Sequence, residues 1–194
     1  MGPSGSGKDT ITEYYRRRYG VKAVPSNTTR AIRPNENPKT TYYRHNVSVR
    51  EINHWQKEGD LAWRESFGGN EYASRHSELK LAFGSKKLWI IILVPDGIKR
   101  FEEVADGVDK MYVYIHPKPE GERVALMVDR GDRVTDILKR KGEAAVFWKK
   151  TKRAGVPFQQ VWNLSDIPAL IRQLDGLIEV RWPKLLPVEL HPQK

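Results

Sequence analysis

The sequence predicts an α/β fold, a layered domain built on a parallel sheet, and three observations carry that prediction. Strand-like apolar runs alternate with helix-length amphipathic stretches along the chain, the pattern left by strands joined through crossover helices. The run Leu88-Trp89-Ile90-Ile91-Ile92-Leu93-Val94 is apolar at every position, as a parallel strand covered on both faces must be. A glycine-rich opening leads without a break into a helical pattern, and no repeat or linker divides the chain.

Taken in order, residues 10–19 read as a helix closed by Gly20, and residues 21–25 as a short strand. Residues 26–41 are polar and broken by Pro34 and Pro38 just behind Pro25, so they read as a loop or irregular ribbon. Ser48-Val49-Arg50-Glu51 is a capping box with Val47 and Ile52 at the staple positions, which starts a helix running to about Glu58. Residues 61–67 and the stretch around Tyr72 read as short strands bracketing Gly68-Gly69-Asn70. Residues 74–83 follow as a helix, residues 88–94 as the central strand and residues 111–115 as another. Helices are expected at 119–129, 135–150 and 165–178, with a strand near 161–163. Residues 179–194 form a proline-rich tail beyond the domain.

The length of 194 residues suits one domain. Lysine and arginine total 34 against 24 acids, a net charge of +10. Such a balance suits a polyanionic partner, whether nucleotide, phosphosugar or nucleic acid, with a solvated basic surface as the plain alternative. The absence of cysteine excludes disulfides, thiolate nucleophiles and cysteine-held zinc. The five histidines, at 45, 54, 76, 116 and 191, lack ligand spacing, so a transition-metal site is not expected. Neither a signal peptide nor an apolar membrane span is apparent, which makes a cytoplasmic soluble protein the expectation.

Gly2-Pro3-Ser4-Gly5-Ser6-Gly7-Lys8 satisfies the Gly-x-x-x-x-Gly-Lys spacing of a phosphate-binding loop. Glycines there let successive N–H groups turn inward at the positive end of the next helix, with Lys8 reaching the terminal phosphates. Two departures matter. Asp9 stands where most such loops carry a magnesium-ligating hydroxyl, so it must face Mg²⁺ directly or through water, and Thr10 supplies a hydroxyl one position later. Only Met1 precedes Gly2; a strand upstream of this sequence is the expectation, a sheet completed in another way the alternative.

From residue 2 to about 178 the chain resembles guanylate kinases. Gly-Pro-Ser-Gly-Ser-Gly-Lys is the form used by that family. Ser26-Asn27-Thr28-Thr29-Arg30-Ala31-Ile32-Arg33-Pro34-Asn35-Glu36 is similar to its Ser-x-Thr-Thr-Arg-x-x-Arg-x-Gly-Glu segment. Phe67-Gly68-Gly69-Asn70-Glu71-Tyr72-Ala73-Ser74 resembles Gly-Asn-x-Tyr-Gly-Ser/Thr, Arg130-Gly131-Asp132 the lid's Arg-Gly-Thr/Ser, and Val161-Trp162-Asn163 the late strand ending in asparagine. Tyr42 lies where the family has a tyrosine, with Tyr43 as its rival.

The resemblance implies a three-layer P-loop kinase fold with a parallel sheet, an acceptor-binding subdomain at about 26–75 and a helical lid at about 118–140, all within a domain of residues 1–178. It implies ATP as donor and Mg²⁺ as cofactor, with Gly2, Pro3, Ser4, Gly5, Ser6, Gly7, Lys8, Asp9, Thr10 and Asn163 on the ATP side. Asp9 and Thr10 face the metal. Ser26, Arg30, Arg33, Tyr42, Tyr72 and Ser74 hold the acceptor; guanidinium forks suit a dianionic phosphate because two parallel hydrogen bonds fix its direction. Lys8, Arg130 and Arg140 neutralise charge during transfer, with Arg133 as a further lid candidate.

The residues that read guanine do not carry over. Counting back from Tyr72 without gaps lands on Trp63, which either stacks on a base or belongs to the core; a two-residue slip gives Glu65. The acids at the end of the family's central strand fall on Ile92 and Val94, with only Asp96 nearby. GMP is therefore not a secure acceptor. A nucleoside monophosphate kinase is the leading expectation. Alternatives are a phosphosugar kinase, since Gly-Pro-Ser-Gly-Ser-Gly-Lys-Asp resembles ribose 1,5-bisphosphate phosphokinases; a kinase acting on nucleotides in DNA, since residues 139–153 are basic; and an inactive guanylate kinase-like binding module.

Overall fold

Helix α1 (Lys8–Tyr19) follows the glycine-rich loop directly and stops at Gly20, whose N–H returns to the Arg16 carbonyl. It opens the computed structural model, which describes residues 1–33, 36–38, 41–164, 166–183 and 185, and the side chains of all these except 141–143. Strands β1 (Lys22–Ala23), β2 (Ser26–Thr28) and β3 (Tyr43–Arg44) come next. Helix α2 (Val49–Lys57) starts on the capping box read from the sequence: the Glu51 N–H donates to Ser48 Oγ at 3.1 Å, and the Ser48 N–H to the Glu51 carboxylate at 2.7 Å. Val47 and Ile52 are buried together beside it. Strands β4 (Leu61–Phe67) and β5 (Asn70–Arg75) form a hairpin, followed by α3 (His76–Phe83), β6 (Trp89–Ile90), a 3₁₀ turn at Pro95–Gly97 and α4 (Ile98–Val104). The chain ends through β7 (Tyr112–His116), α5 (Glu120–Asp129), α6 (Val134–Arg153), β8 (Phe158–Trp162) and α7 (Ile167–Arg181).

Three layers result. On one side of the parallel strands, Ile11 and Tyr15 of α1 and Leu170, Leu174 and Ile178 of α7 pack against Ile115 and Val161. On the other side, Leu79 of α3 and Ile98 and Phe101 of α4 pack with Val24, Leu93 and Tyr112. Removing this apolar surface from water is the main favourable term for the domain. Leu170 is fully buried and also backs the glycine-rich loop, so Leu170→Ala is expected to lower unfolding stability by about 2–5 kcal/mol in urea titration, through lost transfer energy plus a cavity.

The sheet differs from the predicted single unit. The parallel strands form two pairs, β1–β6 and β7–β8, and Met1 bridges to β7 with its amine on the Val113 carbonyl (2.7 Å) and its own carbonyl on the Ile115 N–H (2.8 Å). Both pairs line an apolar cavity of 550 Å³, with Ile90 and Leu93 on the β6 segment and Tyr112 and Val113 on β7. Of the expected strand at 88–94, only Trp89–Ile90 is paired, with Lys22–Ala23, and the Val24 N–H adds one more bond to the Ile90 carbonyl at 2.8 Å.

The expected loop at 26–41 also needs correction, since Ser26–Thr28 is a strand in a second, four-stranded sheet of order β3-β2-β5-β4. Its side chains are polar, and their donors find partners across the sheet. Buried Asn27 donates to the Ala73 carbonyl and the Glu78 carboxylate, and buried Thr28 to the Glu71 carbonyl. A strand paired in this way needs no apolar alternation. β5 takes residues 74 and 75 from the expected helix, and β8 and α6 each start before their expected positions. The last helix runs beyond the expected boundary at 178, to Arg181, where Arg181 and Trp182 both donate to Asp109. Ser165, Pro34 and residues 186–194 of the expected tail lie outside the described residues. No described helix is long and apolar enough to cross a membrane.

Candidate active site

The loop at Gly2–Gly7 is held from below. Asn163, buried at the end of β8, donates from Nδ2 to the Ser6 carbonyl at 3.2 Å. Gly7 has φ 94°, and a Cβ there would stand 3.0 Å from that amide; at Gly2, with φ 153°, a Cβ would stand 2.7 Å from the Ile115 carbonyl. Neither position accepts a side chain without strain. No side chain caps α1, so its first N–H groups remain available to an anion, at the positive end of the helix dipole. Lys8 Nζ folds back onto the loop, donating to the carbonyls of Gly2 (2.6 Å) and Pro3 (2.8 Å). Burial pulls its pKa down to about 8; Asp9 opposes that shift, and Arg130, Arg140 and Arg33 add to it.

A cavity of 590 Å³ opens above this loop. From the loop and α1 it takes Gly2, Ser4, Gly5, Gly7, Lys8, Asp9 and Thr10, with Asn163 behind them. The four-stranded sheet and the loop after it contribute Ser26, Arg30, Arg33, Tyr72 and Ser74, and the α5–α6 hairpin contributes Arg130 and Arg140. The sequence-predicted residues therefore meet in one place, and Arg30 and Arg33 stand on the same cavity as Lys8. Pro3 and Ser6 do not line it; they are buried in the loop itself, where they serve Lys8 and Asn163 through their carbonyls.

Glu36 organises the two arginines. Arg30 sends both terminal nitrogens to it, at 3.0 and 2.8 Å, while Arg33 gives its Nη1 at 3.0 Å and its backbone N–H at 2.9 Å. Burial works to raise the Glu36 pKa, but the hydrogen bonds from Arg30 and from the Arg33 backbone outweigh it and hold it at about 2. The tyrosine assignment changes. Tyr42 and Tyr43 both donate to Asp9 Oδ1, but Tyr43 is the one that lines the cavity, with the Arg30 guanidinium 5.3 Å from its ring centre. Tyr42 instead joins its loop to the first turn of α1.

Asp132 gathers a second group of cations. Its Oδ2 accepts from Arg130 Nε (3.0 Å) and Nη2 (2.5 Å) and from Arg140 Nη1 (2.9 Å), while its Oδ1 forms an ion pair with Arg33 Nε at 2.7 Å. Helix α6 also reaches the β4–β5 turn, where Phe67 meets Phe147 edge-on and Arg140 Nε stands 3.3 Å from the Cβ position of Gly68. Arg133 is exposed at the start of α6 and stays off the cavity. Lys139, Lys149, Lys152 and Arg153 form an exposed helix face.

Trp63 belongs to the core: it is buried and packs edge-on against Phe101 at 5.7 Å, though it also touches the cavity wall. Glu65, two residues on and opposite Tyr72 in the hairpin, places an acid on that wall beside Ser74, Ile92 and Val94. Its pKa is raised, first by burial and then by the charge of Asp96. Asp96 itself pairs with Lys150 at 2.5 Å. Glu36 and Asp132 were not singled out as site residues from sequence. Both lie inside quoted motifs, so the signal was an acid spaced to fold back on nearby arginines.

Relatives bear on this geometry. No family model matches the chain. A guanylate kinase from Thermobifida fusca is 34% identical over 147 residues, covering 74% of this chain and 72% of the relative. One from Frankia casuarinae is 29% identical over 147 residues, covering 74% and 77%. In structure, guanylate kinase from Anaplasma phagocytophilum superposes with a TM-score of 0.62 at 15% sequence identity, across 97% of this chain and 87% of that one. With identity at that level over more than two thirds of a relative, the chain belongs to the guanylate kinase family.

Proposed function

We propose that the protein is an ATP- and magnesium-dependent kinase that transfers the γ-phosphoryl group to the phosphate of a nucleoside monophosphate. One observation carries the reading: Lys8 and its amide loop face the same cavity as Arg30 and Arg33, so two anions can be held face to face. Phosphoryl transfer asks the protein for positioning and charge neutralisation and for no protein nucleophile. Lys8 exchanges its loop carbonyls for the terminal phosphates of ATP. Arg30, Arg33, Tyr43, Tyr72 and Ser26 orient the acceptor phosphate. Arg130 and Arg140 close over the equatorial oxygens and exclude water. In this reading residues 1–178 are the kinase domain, 26–75 the acceptor-binding part and 118–140 the lid.

Asp9 fits a hard cation. One of its oxygens takes the tyrosine hydroxyls, the other has no partner among the described residues, and Thr10 stands exposed beside it. Magnesium is commonly held by one or two carboxylates plus substrate phosphates. Bound there, it supplies charge neutralisation on the phosphates of ATP.

Glu65 is the acid available to the acceptor base, with Ser74 beside it. Guanine, which offers adjacent N–H donors, is the base this edge favours. Apolar Ile92 and Val94 offer the base no hydrogen bond, so Glu65→Gln is expected to lower kcat/KM for GMP by about 10–100-fold, the worth of one charge-assisted hydrogen bond, with the KM for ATP unchanged.

The test is an ADP-release assay across GMP, AMP, CMP, UMP and ribose 1,5-bisphosphate. Turnover with GMP above the others supports the proposal. Asp9 after Lys8 is the feature that favours a phosphosugar, and turnover with the bisphosphate alone establishes that reading instead. No turnover together with no calorimetric ATP binding leaves a binding module, and salt-sensitive retention on oligonucleotides points to nucleic acid.

A further inference from the structure

We propose that Asp132 is an internal counter-anion for the lid: it occupies the arginines that a phosphate needs and so makes the site select a polyphosphate over a single free phosphate. The proposal rests on the nucleotide kinase reading of the cavity and adds a specificity-determining residue to it.

Three elements meet on this one carboxylate. Arg33 comes from the loop after β2, Arg130 from the end of α5 and Arg140 from α6, all at 2.5–3.0 Å. The side chain of Asp132 is 2% exposed. Its backbone is fixed as well: the Asp132 N–H donates to the Met127 carbonyl at 3.0 Å and the Gly131 N–H to Val128 at 2.8 Å. Burial works against its charge, but the three arginines outweigh burial and depress its pKa, so the carboxylate stays ionised at neutral pH. The motif it sits in, Arg130-Gly131-Asp132, carries a negative charge where the related pattern has a neutral hydroxyl.

Without that charge, Arg130 and Arg140 would converge near Lys8 without the carboxylate that joins them to Arg33, and Arg33 would keep only Glu36. With it, the α5–α6 hairpin reaches the acceptor-side loop through ion pairs before any ligand binds. A carboxylate built into the chain also competes at high effective concentration for the same guanidiniums. An anion that contacts only the arginines must displace Asp132 and gains little net binding. One that also takes the loop amides and Lys8 offsets the displacement through those extra contacts. The arginines are thereby kept from trapping inorganic phosphate, yet remain available to a chain of phosphates.

The probes are inorganic phosphate and inorganic tripolyphosphate, titrated by calorimetry into the full chain, wild type and the variants Asp132→Asn and Asp132→Thr. Phosphate is expected to bind at least tenfold tighter to both variants, and tripolyphosphate to gain by a smaller factor, so that selectivity narrows. Unchanged or weaker phosphate binding in variants that melt like wild type overturns the proposal, because a purely structural aspartate leaves anion selectivity alone. Should the variants not fold, the wild type still decides. The Nε–H resonances of Arg33 and Arg130 are expected to shift on adding tripolyphosphate and to stay in place with equimolar phosphate, and an equal response to both overturns the idea. These readouts need no turnover, so an inactive enzyme would sink the kinase reading while leaving them interpretable.

Discussion

Lys8→Met is expected to lower turnover by at least about 10²–10³-fold, the cost of removing one preorganised group that meets developing charge. Methionine keeps much of the stem packed under the loop while deleting the ammonium, so the fold is expected to persist and the loss to appear in ATP affinity and kcat together. Wild-type protein carries a pH signature that the variant lacks. Lys8 has a pKa of about 8 in the free protein, below which it is charged and ready for an anion. Above it, ATP binding must bring a proton with it. The ATP Kd is therefore expected to be flat below pH 7 and to rise by about tenfold by pH 9, because the charged fraction falls about tenfold for each unit above the pKa. Calorimetry in buffers of different ionisation enthalpy would register the proton uptake. A pH-independent Kd across that range, or one that Lys8→Met reproduces, would remove Lys8 from the donor site.

Arg30→Lys carries the second large effect. The change keeps the charge but replaces a planar fork with a point charge, and kcat/KM for the monophosphate is expected to fall by about 100-fold, mainly through KM. Arg33 still holds Glu36 through two contacts, so the loop is not left with a bare buried carboxylate and the melting temperature is expected to move little. Steady-state kinetics with each substrate varied in turn separate the cases. A loss shared equally by ATP and acceptor would place Arg30 on the donor side and contradict the proposed division of the cavity.

Much of this site could be read from the chain because its signals are local. The loop from Gly2 to Lys8 is defined by spacing alone, since successive N–H groups can converge on a phosphate only where glycines allow the turns. The capping box at Ser48 is equally local, as both of its hydrogen bonds lie within one helical turn. Ser26, Arg30, Arg33 and Tyr72 are implied by the resemblance to guanylate kinases, whose motifs they match in order, and they share the cavity with Lys8.

Other features depended on partners far along the chain. β2 reads as loop because Asn27 and Thr28 are polar, and the groups that accept from their side chains, on Ala73, Glu78 and Glu71, lie more than 40 residues away. The choice between Tyr42 and Tyr43 rests on which ring reaches the cavity once both hydroxyls have turned to Asp9. Trp63 was open between base and core until Phe101 arrived beside it from α4. Residue type cannot decide such cases, because burial and hydrogen bonding are properties of the neighbours.

By itself, then, the order of residues pointed to an α/β chain that opens on a glycine-rich loop of phosphate-binding spacing, and its resemblance to guanylate kinases singled out the paired guanidiniums. Tertiary structure alone decided that Glu36 and Asp132 hold those guanidiniums, that Glu65 stands on the cavity wall, and that the parallel strands form two pairs. Backbone turns and helix caps are settled within a few residues by sterics and short hydrogen bonds. Charges that meet from separate elements are settled only when packing brings them within reach.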